Sequence, residues 1–317
     1  MTEITITTGA RLHFGFISHG PTGGREFGGV GLMIDRPGFV VRAARAAATD
    51  ELSCGPWRFR VESLLARLRN SGELGPLRLE IVESPPAHAG LGSGTQLAMA
   101  VARISALLGG TGGGAPAELA RQAGRGLRSA LGLHGFEQGG LLVEAGHFPS
   151  GEISPLVARV EFPDEWRLLL IRPHGAAGIS GADETDNLAR LAPMPTATTD
   201  RLCRIALTGI LPATVECDFD AACAAIGEFG RIVGEYFALV QGGVFADDRM
   251  RRIEPLLVHR RLTGYGQSSW GPTLFVLCPH VEFAGQLAAD LAAAPEGRDC
   301  EFTIAAPLNR GAAIVCG

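Results

Sequence analysis

Apolar and polar residues alternate along several short stretches of the first half. "EITITT" (residues 3–8), "VGLMID" (30–35) and "GFVVRAA" (38–44) read as strands. "LRLEIV" (77–82) alternates cleanly at Leu77, Leu79 and Ile81. Helical spacing then takes over. Leu97, Val101, Ile104 and Leu108 fall on one stripe and predict a helix over 95–108. Leu119, Ala123, Leu127 and Ala130 predict a second over 117–130. "GGLLVEAG" (139–146) and "LVARVEF" (156–162) return to strand patterning.

A turn signal, "FPDEW" at 162–166, precedes the buried-strand pattern "WRLLLI" and marks a domain boundary. Beyond it the longest helix pattern runs over 220–240, with Ile226, Phe229, Val233 and Phe237 on one stripe. Asp218 or Asp220 is placed to cap it, and the glycines of "QGG" end it. "TLFVLC", a helix over 281–293, "EFTIAA" and "AAIVCG" complete a βαββ-like tail. The pattern therefore predicts an α+β protein of two domains: 1–163, mixed α/β, and 164–317, an α+β sandwich on an antiparallel sheet.

At 317 residues, 46% hydrophobic and 19% charged, the chain has the composition of a globular protein with a sizeable core. A net charge of −5 argues against non-specific nucleic-acid binding, which rests on a basic face. All 28 basic residues are Arg. Without Lys there is neither a Schiff-base amine nor the lysine of a Walker loop, so positive charge offered to an anion comes from Arg, a His, a metal or backbone N–H groups. The seven Cys are scattered without metal-binding spacing, which predicts reduced core thiols. The first residues show no signal-peptide pattern and no apolar run reaches membrane-spanning length, so a cytoplasmic location is expected.

Gly supplies 44 residues, roughly twice the usual share, and clusters in loops. The most informative is "PPAHAGLGSGTQLA" (85–98), which runs from a strand into the predicted helix. Gly90, Gly92 and Gly94 allow positive φ and leave the backbone bare. Ser93, Thr95 and Gln96 add donors where the helix starts, and such a terminus attracts anions. By pattern alone the loop is equally a tight connector. Arg11 and His13, two apart on a strand, share a face suited to an anionic substrate or form an ordinary edge pair. His134, Glu137 and Gln138 sit in a glycine-rich stretch; Glu137 is the leading acid, base or charge-stabilising carboxylate, with a structural carboxylate as its rival. Gln267, Ser268, Ser269 and Trp270 crowd donors and an aromatic face into one turn. Ser180, Asp183 and Glu184 cap a helix or touch a ligand. Asp35 reads as a turn residue.

Together these stretches resemble the β-ribofuranosylaminobenzene 5′-phosphate synthases, which share the fold of the GHMP (galactose, homoserine, mevalonate, phosphomevalonate) kinases. The resemblance rests on "ARLHFGFIS" (10–18), "HAGLGSGTQLA" (88–98), "SALGLHGFEQGGLLVEAG" (129–146) and "GYGQSSWGPTLFVL" (264–277), with "WRLLLIRPHGAAGISGADE" (166–184) between them. It spans nearly the whole chain, in family order. It implies a two-domain GHMP-kinase-like fold with a phosphate loop and a ferredoxin-like C-terminal domain. The implied reaction condenses phosphoribosyl pyrophosphate with 4-aminobenzoate or 4-hydroxybenzoate to a C-riboside, releasing pyrophosphate and CO2, in tetrahydromethanopterin biosynthesis. The resemblance further implies Mg²⁺, no organic cofactor, small-molecule substrates and a homodimer.

Carried onto this sequence, it implies catalytic roles for Glu137, His134 and His13. Gly90, Gly92, Ser93, Gly94, Thr95, Gln96 and Arg11 would bind phosphate. His88, Gln138, Gln267, Ser268, Ser269 and Trp270 would bind substrate. Phe136-Glu137-Gln138 resembles the Met-Asp-Gln of sugar kinases, whose Asp acts at the catalytic centre. Two other functions fit the pattern: an ATP-dependent small-molecule kinase, disfavoured by the Gly-Thr-Gln ending of the loop, and a non-enzymatic ligand sensor.

Overall fold

Alternating residues of the first half build one large sheet. The computed structural model describes residues 3–20, 24–71, 74–110, 112–148, 153–178 and 182–317. In chain order the first half contains β1 (Ile4–Phe16), β2 (Glu26–Arg45), β3 (Glu51–Ser53), α1 (Arg58–Ser71), β4 (Leu77–Glu83), α2 (Ser93–Leu108), α3 (Pro116–Gln122), α4 (Leu131–Gln138), β5 (Leu141–His147) and β6 (Leu156–Val160). The second half contains β7 (Arg167–Pro173), α5 (Ala182–Ala189), α6 (Thr196–Ile205), α7 (Leu211–Val215), α8 (Phe219–Gln241), α9 (Asp248–His259), β8 (Tyr265–Gln267), β9 (Leu274–Cys278), α10 (Val281–Ala293), β10 (Cys300–Ala305) and β11 (Ala313–Cys316).

The first sheet has the order β11-β1-β2-β4-β3, with β5 on the first half of β2 and β6 beyond it. All its ladders are antiparallel except β3–β4. The second sheet runs β10-β7-β9-β8, all antiparallel, which is the order of a ferredoxin-like split βαβ unit. Alternation divides the sheets between cores. Leu168 and Leu170 of β7 join a core with Phe14 and the α8 residues Phe229 and Val233. Leu169 and Ile171 face Leu257 of α9 and Leu287 of α10. That two-sided burial explains why "WRLLLI" reads as a continuous apolar run rather than an alternating one. A further core packs Ile6, Val41 and Leu79 against α1 and α2, with Leu97, Val101 and Ile104 on the predicted stripe.

Three expectations change. The strands read at 30–35 and 38–44 form one long β2. Residues 35–38 loop out opposite Gly9, where the register with β1 shifts between Thr8 and Ala10. Asp35 is tied there, its Oδ1 accepting from the Ala306 amide at 2.7 Å. Next, "AAIVCG" does not extend the second sheet: β11 pairs with β1 in the first, Ile4 opposite Cys316. Finally, the helix expected over 117–130 stops at Gln122. Gly124 and Gly126 take φ of 67° and 84°, so residues 123–130 form a loop instead. That loop carries Arg125 and Arg128 into the site. Helix α8 forms as expected, capped by Asp218, whose Oδ1 accepts from the Ala221 amide at 3.0 Å. Among the described residues no helix is long and apolar enough to cross a membrane.

Candidate active site

The glycine loop between β4 and α2 is held from behind through four consecutive carbonyls. Gly178 N–H donates to His88 O (2.7 Å), Thr273 Oγ1 to Ala89 O (2.7 Å), Ser268 Oγ to Gly90 O (2.8 Å) and Arg11 N–H to Leu91 O (3.0 Å). His88, Gly90 and Gly92 take positive φ (56°, 79° and 69°), which folds the loop tightly against these donors. Gly90 and Gly271 pack backbone on backbone, so that a Cβ on either would overlap the other. With its carbonyls turned away, the loop presents amides to solvent. Gly92 caps α2 in the left-handed region, and its carbonyl accepts from Thr95 N–H (3.0 Å) and Gln96 N–H (3.2 Å). The amides of Ser93 and Gly94 precede the first intrahelical bonds and point at the place an anion would take.

In front of the loop lies an open cleft of about 550 Å³. Nine sequence-predicted residues line it: Arg11, His13, His88, Gly90, Gly92, Ser93, Gly94, Thr95 and Ser269. Facing them are Arg60 from α1, Arg125, Arg128 and Ser129 from the 123–130 loop, and Glu184 and Thr185 from α5. Arg128 pairs with Glu184 at 3.0 Å. Arg11 Nε, Arg125 Nε and one Arg128 terminal nitrogen are buried without a protein partner. Burial pulls the Arg11 and Arg125 guanidiniums down to about 10, the latter aided by the neighbouring charges of Arg60, Arg67 and Arg128. Both remain cations at neutral pH. Desolvated cations crowded together are unfavourable until an anion joins them, so the cleft is built for a multiply charged anion.

His13 sits at the inner end of the cleft. Its amide donates to Ser268 Oγ (3.0 Å) and its carbonyl accepts from Ser269 N–H (3.0 Å), fixing the backbone. The ring is buried, packs edge-on to Phe16 at 5.0 Å, and has no partner on either nitrogen. Burial, then the Arg11 charge, holds it well below the usual imidazole range, so it is neutral and offers one donor and one acceptor. Behind Arg11 lies Glu144 of β5, fully buried. Its Oε2 accepts from the Ala130 amide at 2.7 Å while Oε1 has no partner. Burial raises this carboxyl to about 7 against the opposing pull of Ser129, Ala130, Ser154 and Arg11.

Several predicted residues stand elsewhere. Glu137 is ion-paired with Arg103 on the helical side of the sheet and does not line the cleft; α4 turns it away from the loop. His134 is engaged at the Ser154 carbonyl (Nε2 to O, 2.8 Å), and Gln138 is exposed at the end of α4. Gln96 is fully buried between Thr8 and the Gly132 carbonyl, so it braces α2 rather than facing an anion. Ser268 is buried behind the loop, its hydroxyl bound to Gly90 O. Gln267 and Trp270 line a separate cavity beside His13. Ser180 lies outside the described residues, as does the side chain of Asp183.

Arg60, Arg125, Arg128 and Glu144 escaped the sequence reading. "AGRGLRS" held a signal, because two glycines and two arginines fit a loop better than a helix. The lone Glu in the apolar strand "LLVEAG" held another. Among the described residues no three His, Cys, Asp or Glu side chains gather as a metal-binding group.

The chain has the architecture of the GHMP-kinase fold, as two comparisons with solved structures show. Homoserine kinase from Cytophaga hutchinsonii superposes with a TM-score of 0.67 at 14% identity, covering 99% of this chain and 97% of that one. Mevalonate pyrophosphate decarboxylase from Streptococcus pyogenes gives 0.65 at 14% identity, covering 97% of each. No family model matches. In sequence the chain is 32% identical over 294 residues to beta-ribofuranosylphenol 5'-phosphate synthase of Methanothermobacter thermautotrophicus, covering 86% of this chain and 88% of the relative. It is 30% identical over 332 residues to the Archaeoglobus fulgidus synthase of the same name, covering 98% and 99%. The chain belongs to the beta-ribofuranosylphenol 5'-phosphate synthase family and is an enzyme of pentosyltransferase type.

Gly271→Ala should force the loop off its supports, costing about 1–3 kcal/mol of overpacking and lowering the melting temperature together with phosphate binding. Differential scanning calorimetry and phosphate titration check this; an unchanged melting temperature contradicts the backbone contact. A second prediction concerns Glu144. Native Glu144 keeps its proton to about pH 7, while an unfolded glutamate loses it near 4.5, so ionisation weakens the native state across that window by up to ~3 kcal/mol. His13 has the opposite sign: acidification below about 6.5 protonates only the unfolded imidazole and costs stability. Glu144→Gln removes the first contribution alone. Its stability relative to wild type should therefore rise from pH 5 to pH 8 in urea unfolding; a pH-independent difference would show Glu144 ionised throughout.

Proposed function

We propose that the cleft transfers the phosphoribosyl group of phosphoribosyl pyrophosphate to the ring of 4-hydroxybenzoate, releasing pyrophosphate and CO2. One observation carries the reading: a backbone anion site at the glycine loop faces a cluster of desolvated arginines across a single cleft. Such a cleft accommodates both charged ends of a substrate that carries a phosphate and a diphosphate. The relatives' named product contains a phenol, which favours the hydroxybenzoate over the aminobenzoate acceptor.

In the proposed reaction the bond from the anomeric carbon to the diphosphate oxygen breaks, and both electrons leave with pyrophosphate. Arg11, Arg125 and Arg128 stabilise the charge that develops there, strongly because they are already desolvated. The ring carbon bearing the carboxylate supplies the electron pair for the new carbon–carbon bond. The bond to CO2 then breaks, and its electrons restore aromaticity, so no external proton or oxidant is needed. His13, neutral and at the inner end, donates one ring N–H to the acceptor carboxylate and keeps its other nitrogen as an acceptor for a ribose hydroxyl. Mg²⁺ usually binds through one or two carboxylates plus substrate phosphates. Glu184, the carboxylate lining the described cleft, fits that pattern and would hold the ion, which supplies further charge neutralisation to the diphosphate. Glu137, bound to Arg103, has no part in this scheme.

Incubation with phosphoribosyl pyrophosphate, Mg²⁺ and carboxyl-labelled 4-hydroxybenzoate should release labelled CO2 and pyrophosphate in equal amounts. Folded protein that releases neither overturns the reading; ATP consumption with a hydroxylated acceptor would favour a kinase. Arg125→Ala removes charge-assisted bonds worth about 1.5–3 kcal/mol, so kcat/KM for phosphoribosyl pyrophosphate should fall roughly 10–150-fold. Steady-state kinetics check the figure, and an unchanged value removes Arg125 from the site.

A further inference from the structure

A pocket of about 430 Å³ opens beside the cleft and shares Arg128 and Thr185 with it. It lies between the start of β2, helix α5 and the segment that follows β1. Phe27, Leu188, Leu191 and Pro193 make its walls apolar, and Arg128 is the charged residue among those lining it. Its size suits a single substituted ring. The cavity beside His13 does not: at about 30 Å³ it has room for a water or two. Phe27 is held in place at a conformational cost. Its φ of 62° lies in the left-handed region, which a bulky residue adopts only where its surroundings enforce it. Here its amide donates to Ser18 O (3.0 Å) and its ring stacks on His147 at 5.5 Å between centroids. Phe16 and His19 meet the same ring in T-shaped contacts at 5.3 and 5.6 Å.

His19 lines this pocket but not the cleft, and its tautomer follows from its partners. Tyr236 Oη has one proton, which goes to Ala192 O (2.7 Å). The 2.7 Å bond between Tyr236 Oη and His19 Nδ1 is therefore donated by the imidazole. Burial holds the ring below the usual imidazole range against the pull of Glu26, so it is neutral at pH 7. A neutral ring protonated at Nδ1 carries a bare lone pair at Nε2, which has no partner among the described residues. The pocket thus combines a cation on its cleft side, an apolar middle and an acceptor beyond the cleft.

We propose that this pocket takes the acceptor ring, and that His19 selects acceptors whose para group can donate a hydrogen bond. The ring lies against Phe27, Leu188 and Pro193. Its carboxylate stays in the cleft that Arg128 and His13 line, and its para hydroxyl or amino group donates to His19 Nε2. Charge sets this direction, because an ionised carboxylate in the apolar part would lose its water with no cation to replace it. The direction also suits the reaction. The ring carbon bearing the carboxylate lies opposite the para group, so anchoring that group at His19 turns the reacting carbon toward the cleft. The proposal rests on the synthase reading and makes His19 the residue that recognises the ring substituent.

Calorimetric titration of the full chain with 4-hydroxybenzoate, 4-fluorobenzoate and benzoate, each with and without pyrophosphate, tests it. Wild type should bind 4-hydroxybenzoate at least tenfold more tightly than either analogue, since fluorine matches the hydroxyl in size but donates nothing. His19→Phe should bring the ratio of hydroxybenzoate to benzoate affinity near one, while far-UV dichroism and pyrophosphate affinity stay as in wild type. Ala189 is exposed on α5 and lines the pocket. Ala189→Trp should fill the space and lower 4-hydroxybenzoate affinity at least tenfold, again without changing pyrophosphate affinity. The fluorobenzoate comparison needs no variant, so it decides even if neither variant folds. Fluorobenzoate bound as tightly as hydroxybenzoate, the ratio retained in folded His19→Phe, affinity unchanged in folded Ala189→Trp, or no binding of any of the three acids overturns the proposal. The two readings fail separately. Release of CO2 with discrimination unchanged in His19→Phe removes the pocket and keeps the reaction. Binding with the predicted ratios but no CO2 release keeps the pocket and removes the reaction.

Discussion

Four carbonyl oxygens decide what the glycine loop can do. From His88 to Leu91 every backbone acceptor is taken, by donors from β1, from Gly178, and from Ser268 and Thr273 beside β9. A glycine-rich segment is entropically costly to order, and a free one would present carbonyls and amides alike. With these four carbonyls engaged, the backbone groups left to the cleft are amides. The loop becomes an electropositive surface without a single charged side chain. The same bonds tie segments far apart in sequence into one unit, so Arg11 and His13 are positioned by the structure that positions the loop.

The rest of the positive charge arrives through arginine, and its placement separates binding from folding. Arg69 and Arg78 are matched with Asp50 and Glu51 near the surface. In the cleft, Arg11 and Arg125 are buried with nitrogens that no protein acceptor meets. The resulting tension is concentrated around this cleft. Glu184 and the buried Glu144 moderate it, raising the Arg11 guanidinium against the desolvation that lowers it. A cleft so arranged gains most from a ligand of high negative charge and little from a neutral one.

The sequence revealed the strands, the long helix α8 and the glycine loop, because each depends on local periodicity or local backbone chemistry. Arg11, His13 and the residues from His88 to Thr95 were legible for the same reason. Glu137 misled because its resemblance to a kinase triplet is local, whereas its direction is set by how α4 packs on Met33 and Thr95 through Gly135 and Gly132. The arginines of the 123–130 loop were hidden by a helical stripe at Leu119 and Ala123 that two left-handed glycines cut short. Gln96 and Ser268 looked like ligand donors and instead satisfy buried backbone and side-chain partners. Polar residues near a site support it as often as they line it.

The return of β11 to β1 also bears on the order in which the molecule is completed. Ile4 lies opposite Cys316, so one flank of the first sheet stays unpaired while nearly all the intervening chain is synthesised. Until then β1 offers a row of open hydrogen-bonding groups to any passing strand. The pairing is also among the most distant in sequence that the fold contains, and such contacts form late because closing so long a loop costs entropy before it returns any contact. The glycine loop takes its backbone donor from the same strand, at Arg11, so the strand that closes the sheet with β11 also holds the loop.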